Sequence, residues 1–292
     1  MAILGAHMSI AGGYYRAVER AHEAGCDCVQ LFTKNNNQWR AKEISADDVQ
    51  RFQAALKQQK ISHPIAHDSY LINLASPDDA LWKRSIDAFI EELQRAELLG
   101  IPYVVAHPGS YTTSSEAAGI QRVIQALDEV HAQTPSLSAR GLLETTAGQG
   151  TNLGWKFEHL AAMLDGVRDT DRLGVCFDTC HVHAAGYAMR TKKQYQTTIK
   201  AFNALIGVKR LKAFHLNDSK RERGSRVDRH AHIGQGTMGI APFRHLLADR
   251  RFRRVPMYLE TPKSDADGRE MDKINLARLR KLIPRRSVPS TS

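Results

Sequence analysis

Long hydrophobic runs are missing from this 292-residue chain. Stretches such as Tyr103–Ala106 fall far short of the roughly 18 to 20 apolar residues that span a bilayer, so no membrane partner is expected. The opening Met1-Ala2-Ile3-Leu4-Gly5-Ala6-His7 has no cationic lead and too short an apolar run for a secretion signal, which points to a cytoplasmic location. Cysteine is scarce. The four present, Cys26-x-Cys28 and Cys176-x3-Cys180, match neither a zinc knuckle nor the disulfide framework of a small secreted protein, and are expected to be reduced and mostly buried. Acidic charge is in deficit, with 31 Asp+Glu against 41 Lys+Arg. The resulting net charge of +10 points to a polyanionic partner, nucleic acid first. There is no Pro/Gly/Ser-rich linker, low-complexity segment or sequence repeat, so residues 1–283 read as one domain, followed by a loose tail at 284–292.

What is present, with 42% hydrophobic residues, folds. Short β-branched and apolar runs recur, each followed by a longer helical pattern. The strands are expected at 3–7, 28–33, 64–68, 103–107, 141–145, 174–179, 211–216 and 256–260. The helical segments include 46–59, 78–99, 114–131, 157–164, 191–206 and 242–248. Within 78–99, Ile86, Phe89, Ile90, Leu93, Ala96 and Leu99 recur at three- and four-residue steps, and Gly100-Ile101-Pro102 stops the helix. Eight such units suit a closed (β/α)8 TIM-type barrel of the α/β class, with an open doubly wound sheet as the alternative.

The strand ends carry the chemistry. Strands three to eight finish at or near His67, His107, Glu144, Asp178, His215 and Glu260. In a barrel those ends converge on one face, where active sites of this fold are built. Singly, each could be an ordinary hydrogen-bonded residue. Together, three carboxylates and three imidazoles would be prohibitively costly to bury unless paired or bound to cations. His181, three residues after Asp178, and the Asp228/His230 pair form a second cluster, although Asp228 is flanked by arginines and could be a surface ion pair. His7 and His183 are candidates to support the ligands, and the remaining histidines for no catalytic part. A donor set of nitrogen and oxygen suits zinc, with manganese or iron as alternatives. Nine candidates exceed a mononuclear zinc site but match three ions sharing a carboxylate. Three divalent ions against Glu144, Asp178, Asp228 and Glu260 leave the cluster positive and able to attract a phosphate, and clustered metals favour phosphodiester hydrolysis.

Several motifs together resemble the endonuclease IV family. These are Leu31-Phe32-Thr33-Lys34-Asn35 with Gln38-Trp39-Arg40, His67-Asp68-Ser69-Tyr70-Leu71-Ile72-Asn73-Leu74 and His107-Pro108-Gly109-Ser110. Leu143-Glu144-Thr145-Thr146-Ala147-Gly148-Gln149-Gly150, Phe177-Asp178-Thr179-Cys180-His181, His215-Leu216-Asn217-Asp218 and Gly224-Ser225-Arg226-Val227-Asp228-Arg229-His230 follow in order. The resemblance covers nearly the whole chain. It implies a zinc-dependent nuclease of base-excision repair that cuts duplex DNA 5′ to an abasic site, leaving a 3′-hydroxyl and a 5′-deoxyribose phosphate, and that also clears blocked 3′ ends. By the same resemblance, Glu144 and Glu260 are catalytic and three zinc ions are bound: one by His67, His107 and Glu144, one by Glu144, Asp178, His215 and Glu260, one by His181, Asp228 and His230.

Readings of the DNA contacts rest on less. Basic residues crowd between Lys209 and Arg229, Arg223 and Arg226 among them, and could track a phosphate backbone or form a solvated face. Tyr70 and Leu71 beside His67 suit the filling of space left by an extruded nucleotide, or merely anchor their loop. The family pattern has Arg where this chain has Asn37. The competing readings are a sugar isomerase or epimerase using Glu144, Asp178, His215 and Glu260, and a basic DNA-binding or metal-storage protein without catalysis.

Overall fold

Val104-Val105-Ala106 and Leu142-Leu143 are buried on both strand faces, as near-continuous apolar runs require, and they sit in a parallel sheet wrapped by helices. The structure, a computed structural model, describes residues 2–284. The chain runs β1 (Leu4–Met8), α1 (Tyr14–Glu23), β2 (Cys28–Phe32), α2 (Ala46–Gln59), β3 (Ser62–His67), α3 (Asp79–Leu99), β4 (Tyr103–Ala106) and α4 (Glu116–Gln133). It continues through β5 (Arg140–Glu144), α5 (Phe157–Gly166), β6 (Leu173–Asp178), α6 (Thr179–Ala184), α7 (Lys192–Leu205) and β7 (Leu211–His215). A short hairpin, β8 (Asp218–Ser219) with β9 (His230–Ala231), precedes α8 (Ala241–Ala248), β10 (Met257–Leu259) and α9 (Met271–Leu282).

The eight long-range strands close into a barrel in the order β1-β10-β7-β6-β5-β4-β3-β2, every pairing parallel. The expected barrel forms, and the open-sheet alternative is excluded by β1, which pairs with both β2 and β10. The expected strand boundaries shift by one to two residues at most ends. Three helices lie outside the expected segments. α1 follows Gly13 without a side-chain cap and buries only the small residues Ala17, Val18 and Ala21, opposite a strongly polar face. α6 is six residues long, too short for a period to show. α9 buries Met271, Leu276 and Leu279 among charged neighbours, so its apolar stripe is thin. The expected tail lies almost wholly outside the described residues. No helix among the described residues is long and apolar enough to cross a membrane.

Two apolar layers form. The larger lies between strands and helices and includes Phe89, Phe157, Phe177, Phe202 and Phe214. The smaller fills the barrel: Cys28, Ile65, Val105, Leu142, Cys176, Ala213 and Tyr258, one inward residue from each of seven strands. β1 adds Gly5 at this level, where a Cβ would collide with the Cys28 carbonyl. Side chains alternate along a strand, so the residue two further on points the same way. Above the inner layer that rule places Gln30, His67, His107, Glu144, Asp178, His215 and Glu260, with His7 from β1. One polar group per strand rings the barrel mouth on its C-terminal face.

Candidate metal centre

His67, Glu144, Asp178 and His215 are the last residues of β3, β5, β6 and β7; His107 and Glu260 come one residue after β4 and β10. All six expected strand-end residues therefore meet at one mouth. Glu144 is fully buried at its centre. Its Oε2 lies 3.2 Å from His67 Nε2 and 3.2 Å from His107 Nε2, while its Oε1 lies 2.8 Å from His215 Nδ1 and 3.2 Å from His181 Nδ1. His215 Nδ1 also faces Glu260 Oε2 at 3.1 Å.

The third group is built by local structure. Asp178 caps α6, its Oδ1 accepting from the His181 N–H at 2.7 Å, so the residue that ends β6 also aims the helix that presents His181. The β8–β9 hairpin swings His230 back to the mouth, where Nδ1 lies 3.1 Å from the Glu260 carbonyl. Asp228 stands between two imidazoles, Oδ2 at 3.1 Å from His181 Nε2 and Oδ1 at 3.2 Å from His230 Nε2. Its carboxylate thus faces the centre rather than the flanking arginines. Both of those Nε2 atoms are buried without a hydrogen-bond partner. A buried nitrogen without a partner, aimed at a carboxylate, fits a cation between them.

Donor atoms of His67, His107 and Glu144 come within 4.8 Å of one another, as do those of Glu144, Asp178, His215 and Glu260, and those of Asp178, His181 and His230. Glu144 belongs to the first two groups and Asp178 to the last two. Cys176 and Cys180 lie near the same groups, and burial pushes Cys180 up to about 12 and Cys176 well above the ordinary thiol range. All four cysteines are free and buried, as expected.

Burial and mutual charge set the ionisation of these groups. Burial opposes ionisation of Glu144, yet the charges of His215 and His107 with hydrogen bonds from His107 and His181 hold it well below its ordinary value. Burial and repulsion from Glu144 oppose ionisation of Glu260, yet His215, His67 and His230 together hold it at about 2. His230, despite burial, rises to about 9 through Asp228 and Asp178; against the same burial His67 is raised by Asp68 and Glu144, His181 by Asp178 and Asp228, and His215 by Glu260 and Glu144. Asp178 moves the other way, raised by burial that His181 and His230 only partly offset.

Outer partners fix the rings. His181 Nδ1 sits 2.8 Å from the Thr145 carbonyl and His67 Nδ1 3.0 Å from the Asp68 carbonyl. Asn217 gives its amide to Asp178 Oδ2 at 2.6 Å while its Oδ1 accepts the Glu260 N–H at 2.9 Å, joining the tops of β6, β7 and β10. Gln30 does the same across the seam: Oε1 lies 2.7 Å from His215 Nε2, and Nε2 lies 2.5 Å from Glu260 Oε1 and 2.9 Å from His7 Nδ1. His7 is indeed behind the ligands, kept neutral by burial at about 3. His183 instead meets Thr237 Oγ1 at 3.2 Å. Sequence reasoning missed Gln30 as a member; its signal was a polar residue in the middle of the apolar run Cys28–Phe32.

The loops beyond the ring hold the other candidates. Asn37 is exposed in the loop after β2, its N–H donating to Asn35 Oδ1 at 3.0 Å. Ser69 Oγ donates to the Asn36 carbonyl at 2.7 Å and joins that loop to the next. There Tyr70 is 63% exposed over the mouth, its ring edge-on to Phe32 at 5.8 Å and 6.0 Å from His67, with Leu71 half-buried beside it. A cleft of about 180 Å³ runs from Tyr70 past His107 to Asn152. Arg223 is exposed, whereas Arg226 packs over Trp155 at 4.2 Å and donates its Nε to the Gly148 carbonyl at 3.0 Å. The basic stretch between Lys209 and Arg229 does not form one track. Lys209, Arg210 and Lys212 lie before or within the start of β7, at the opposite mouth from Lys220 to Arg229.

Residues 18–282 match the model of the xylose isomerase-like TIM barrel family. The chain is 51% identical over 279 residues to a probable endonuclease 4 of Trichlorobacter lovleyi, covering 96% of this chain and 99% of that protein. It is 49% identical over 283 residues to a probable endonuclease 4 of Geobacter sp. (strain M21), covering 97% and 99%. Among solved structures it resembles endonuclease IV from Thermus thermophilus with a TM-score of 0.84 and 35% identity, over 96% of this chain and 98% of that one. A D-tagatose 3-epimerase-like protein gives a TM-score of 0.69 at 17% identity, over 95% and 98%, a likeness of fold alone.

Proposed function

Because this chain belongs to the endonuclease IV family, and so is a metal-dependent hydrolase that cleaves DNA, we propose that it cuts duplex DNA on the 5′ side of abasic sites with three zinc ions. The products are a 3′-hydroxyl and a 5′-deoxyribose phosphate, and blocked 3′ ends are cleared at the same centre. It works as a monomer in the cytoplasm, at the nucleoid if the host is bacterial.

The observation that carries this reading is the division of Glu144, whose two oxygens face two different pairs of imidazoles. His67, His107 and Glu144 would hold one ion, Glu144, Asp178, His215 and Glu260 a second, and His181, Asp228 and His230 a third. Bound there, divalent ions neutralise phosphate charge and lower the pKa of a water for in-line attack. The chain supplies the rest. Buried Glu144 and Asp178 set the spacing between groups, and Glu144 and Glu260, which face the same His215 nitrogen, are the carboxylates assigned to catalysis. His107, Asp228, His230 and Glu260 are the more exposed members and form the side open to DNA. Tyr70 and Leu71 stand where an extruded nucleotide leaves a gap, Asn37 faces the duplex from the neighbouring loop, and Arg223 meets a phosphate. Arg226 serves by holding the Gly224–His230 loop against Trp155.

The epimerase reading accounts for only four of the ring groups and leaves the unpartnered His181 and His230 nitrogens without a task. Incubation with a duplex carrying one abasic site, with products sized on a denaturing gel, tests the proposal: a single cut 5′ to the lesion is expected, and an intact strand refutes it. Elemental analysis should give about three ions per chain; one ion would return the site to the isomerase type.

A further inference from the structure

The metal mouth uses only part of the basic charge. β7 and β10 run parallel, with Met257 opposite Phe214 and Tyr258 opposite His215, and the Phe214 N–H donates to the Pro256 carbonyl at 3.0 Å. Just before β10, Arg254, Val255 and Pro256 share one cleft with Leu211 and Lys212, which open β7. Two basic segments, Lys209-Arg210-Leu211-Lys212 and Arg250-Arg251-Phe252-Arg253-Arg254, therefore lie side by side at the N-terminal mouth of the barrel. Arg251 is neutralised by Asp249 at 2.6 Å, and Arg210 donates to Thr170 Oγ1 at 2.9 Å. Lys209, Lys212, Arg250, Arg253 and Arg254 form no salt bridge with an acidic group among the described residues. Lys212 and Arg254, with His63 and Tyr103, line a cleft of about 200 Å³.

Like charges held together without counterions oppose folding, so such a cluster calls for a polyanion. Arginine predominates, and its planar fork matches phosphate oxygens. A lipid surface is less well served: the exposed large apolar side chains among the described residues are Tyr70 at the metal mouth and Leu98 and Leu205, one each at the ends of α3 and α7. A duplex crossing the metal mouth cannot also cross the opposite one.

We infer that the N-terminal mouth binds the phosphate backbone of a second, undamaged DNA duplex, so that one enzyme bridges two segments. The inference rests on DNA being the substrate at the metal mouth. Abasic duplex is fixed to beads, loaded with enzyme and washed; labelled undamaged duplex is then offered, and its capture is measured per enzyme retained. Wild type should capture about one duplex per enzyme. The variant R250E/R253E/R254E should be retained equally and capture at least fivefold less, while cutting a short abasic duplex in solution at the wild-type rate. R253Q/R254Q, which removes charge without reversing it, should give an intermediate loss. Normal cutting and retention with no capture by wild type, or with equal capture by all three proteins, overturns the second surface. Binding of anionic phosphatidylserine vesicles by wild type in place of the second duplex overturns it as well. Failure of wild type to cut or to be retained is a failure of the abasic-site reading instead, and is seen in the first step.

Discussion

Glu144 and Gln30 show how single side chains act at this centre. Glu144 divides its two oxygens between groups, so Glu144→Ala should lose more than one ion per chain; elemental analysis showing a loss of one or none would remove its bridging role. Gln30 touches no expected ion, but its Oε1 accepts from His215 Nε2 and so leaves Nδ1 facing Glu144 and Glu260. Gln30→Leu keeps the volume and removes that bond, and metal affinity should fall about 10- to 100-fold, read by competition with a chromogenic chelator. The raised imidazoles give a pH dependence. His230 keeps its proton up to about 9 in the metal-free protein, and His67, His181 and His215 are also shifted upward, so an incoming ion must displace protons. Affinity should rise with pH from the ordinary histidine range to about 9, and calorimetry in buffers of different ionisation enthalpy should detect proton release at pH ~7.5; no release would show that the rings are neutral before loading.

At the scale of elements, strands and loops divide the labour. All eight ring groups sit on or just past strands locked by backbone ladders, while Asp228 and His230 arrive on a loop and hairpin held by Arg226, Gln149 and Asp218. Arg223→Ala should lower the salt slope of DNA binding by about one, as loss of one phosphate contact does. Arg226→Ala should in addition lower metal content, because the loop that carries Asp228 loses its clamp; an equal effect of both on slope with no change in metal would make Arg226 a simple phosphate ligand. In the loops proposed to face the lesion, Asn37→Arg should tighten abasic binding by about 0.5 to 1 kcal/mol through an added cation–π or phosphate contact. Tyr70→Ala should weaken binding by about 1 to 3 kcal/mol if its ring stacks on a base. Equal affinities for all three proteins at one salt concentration would take these loops off the lesion. The strand ends were readable because a ligand at the close of each apolar run is a one-dimensional signal. The hairpin, α6 and the partition of basic residues between two mouths were not, since they depend on how short segments turn in space.

For the whole molecule, the metals should act as a fastener. At free zinc about 100-fold above Kd, each site adds about 2.7 kcal/mol to the folded state, so a chelator should lower Tm by roughly 4 to 5 °C for every ion removed. An unchanged Tm would mean that the barrel does not depend on its centre. The barrel was legible from eight recurring units, and the ring from six of its eight members; His7 and Gln30 complete it only when period-two alternation is counted upward from the inner layer. The ring also has an order in time. Along the chain, eight of the nine expected ligands precede Glu260, and Glu260 rides on the strand that seats last between β1 and β7. During synthesis, a chain still held by the ribosome short of β10 has neither a closed barrel nor the carboxylate that shares His215 with Glu144. Under the proposed assignment, then, the second ion's site stays one carboxylate short until the final strand completes the circle.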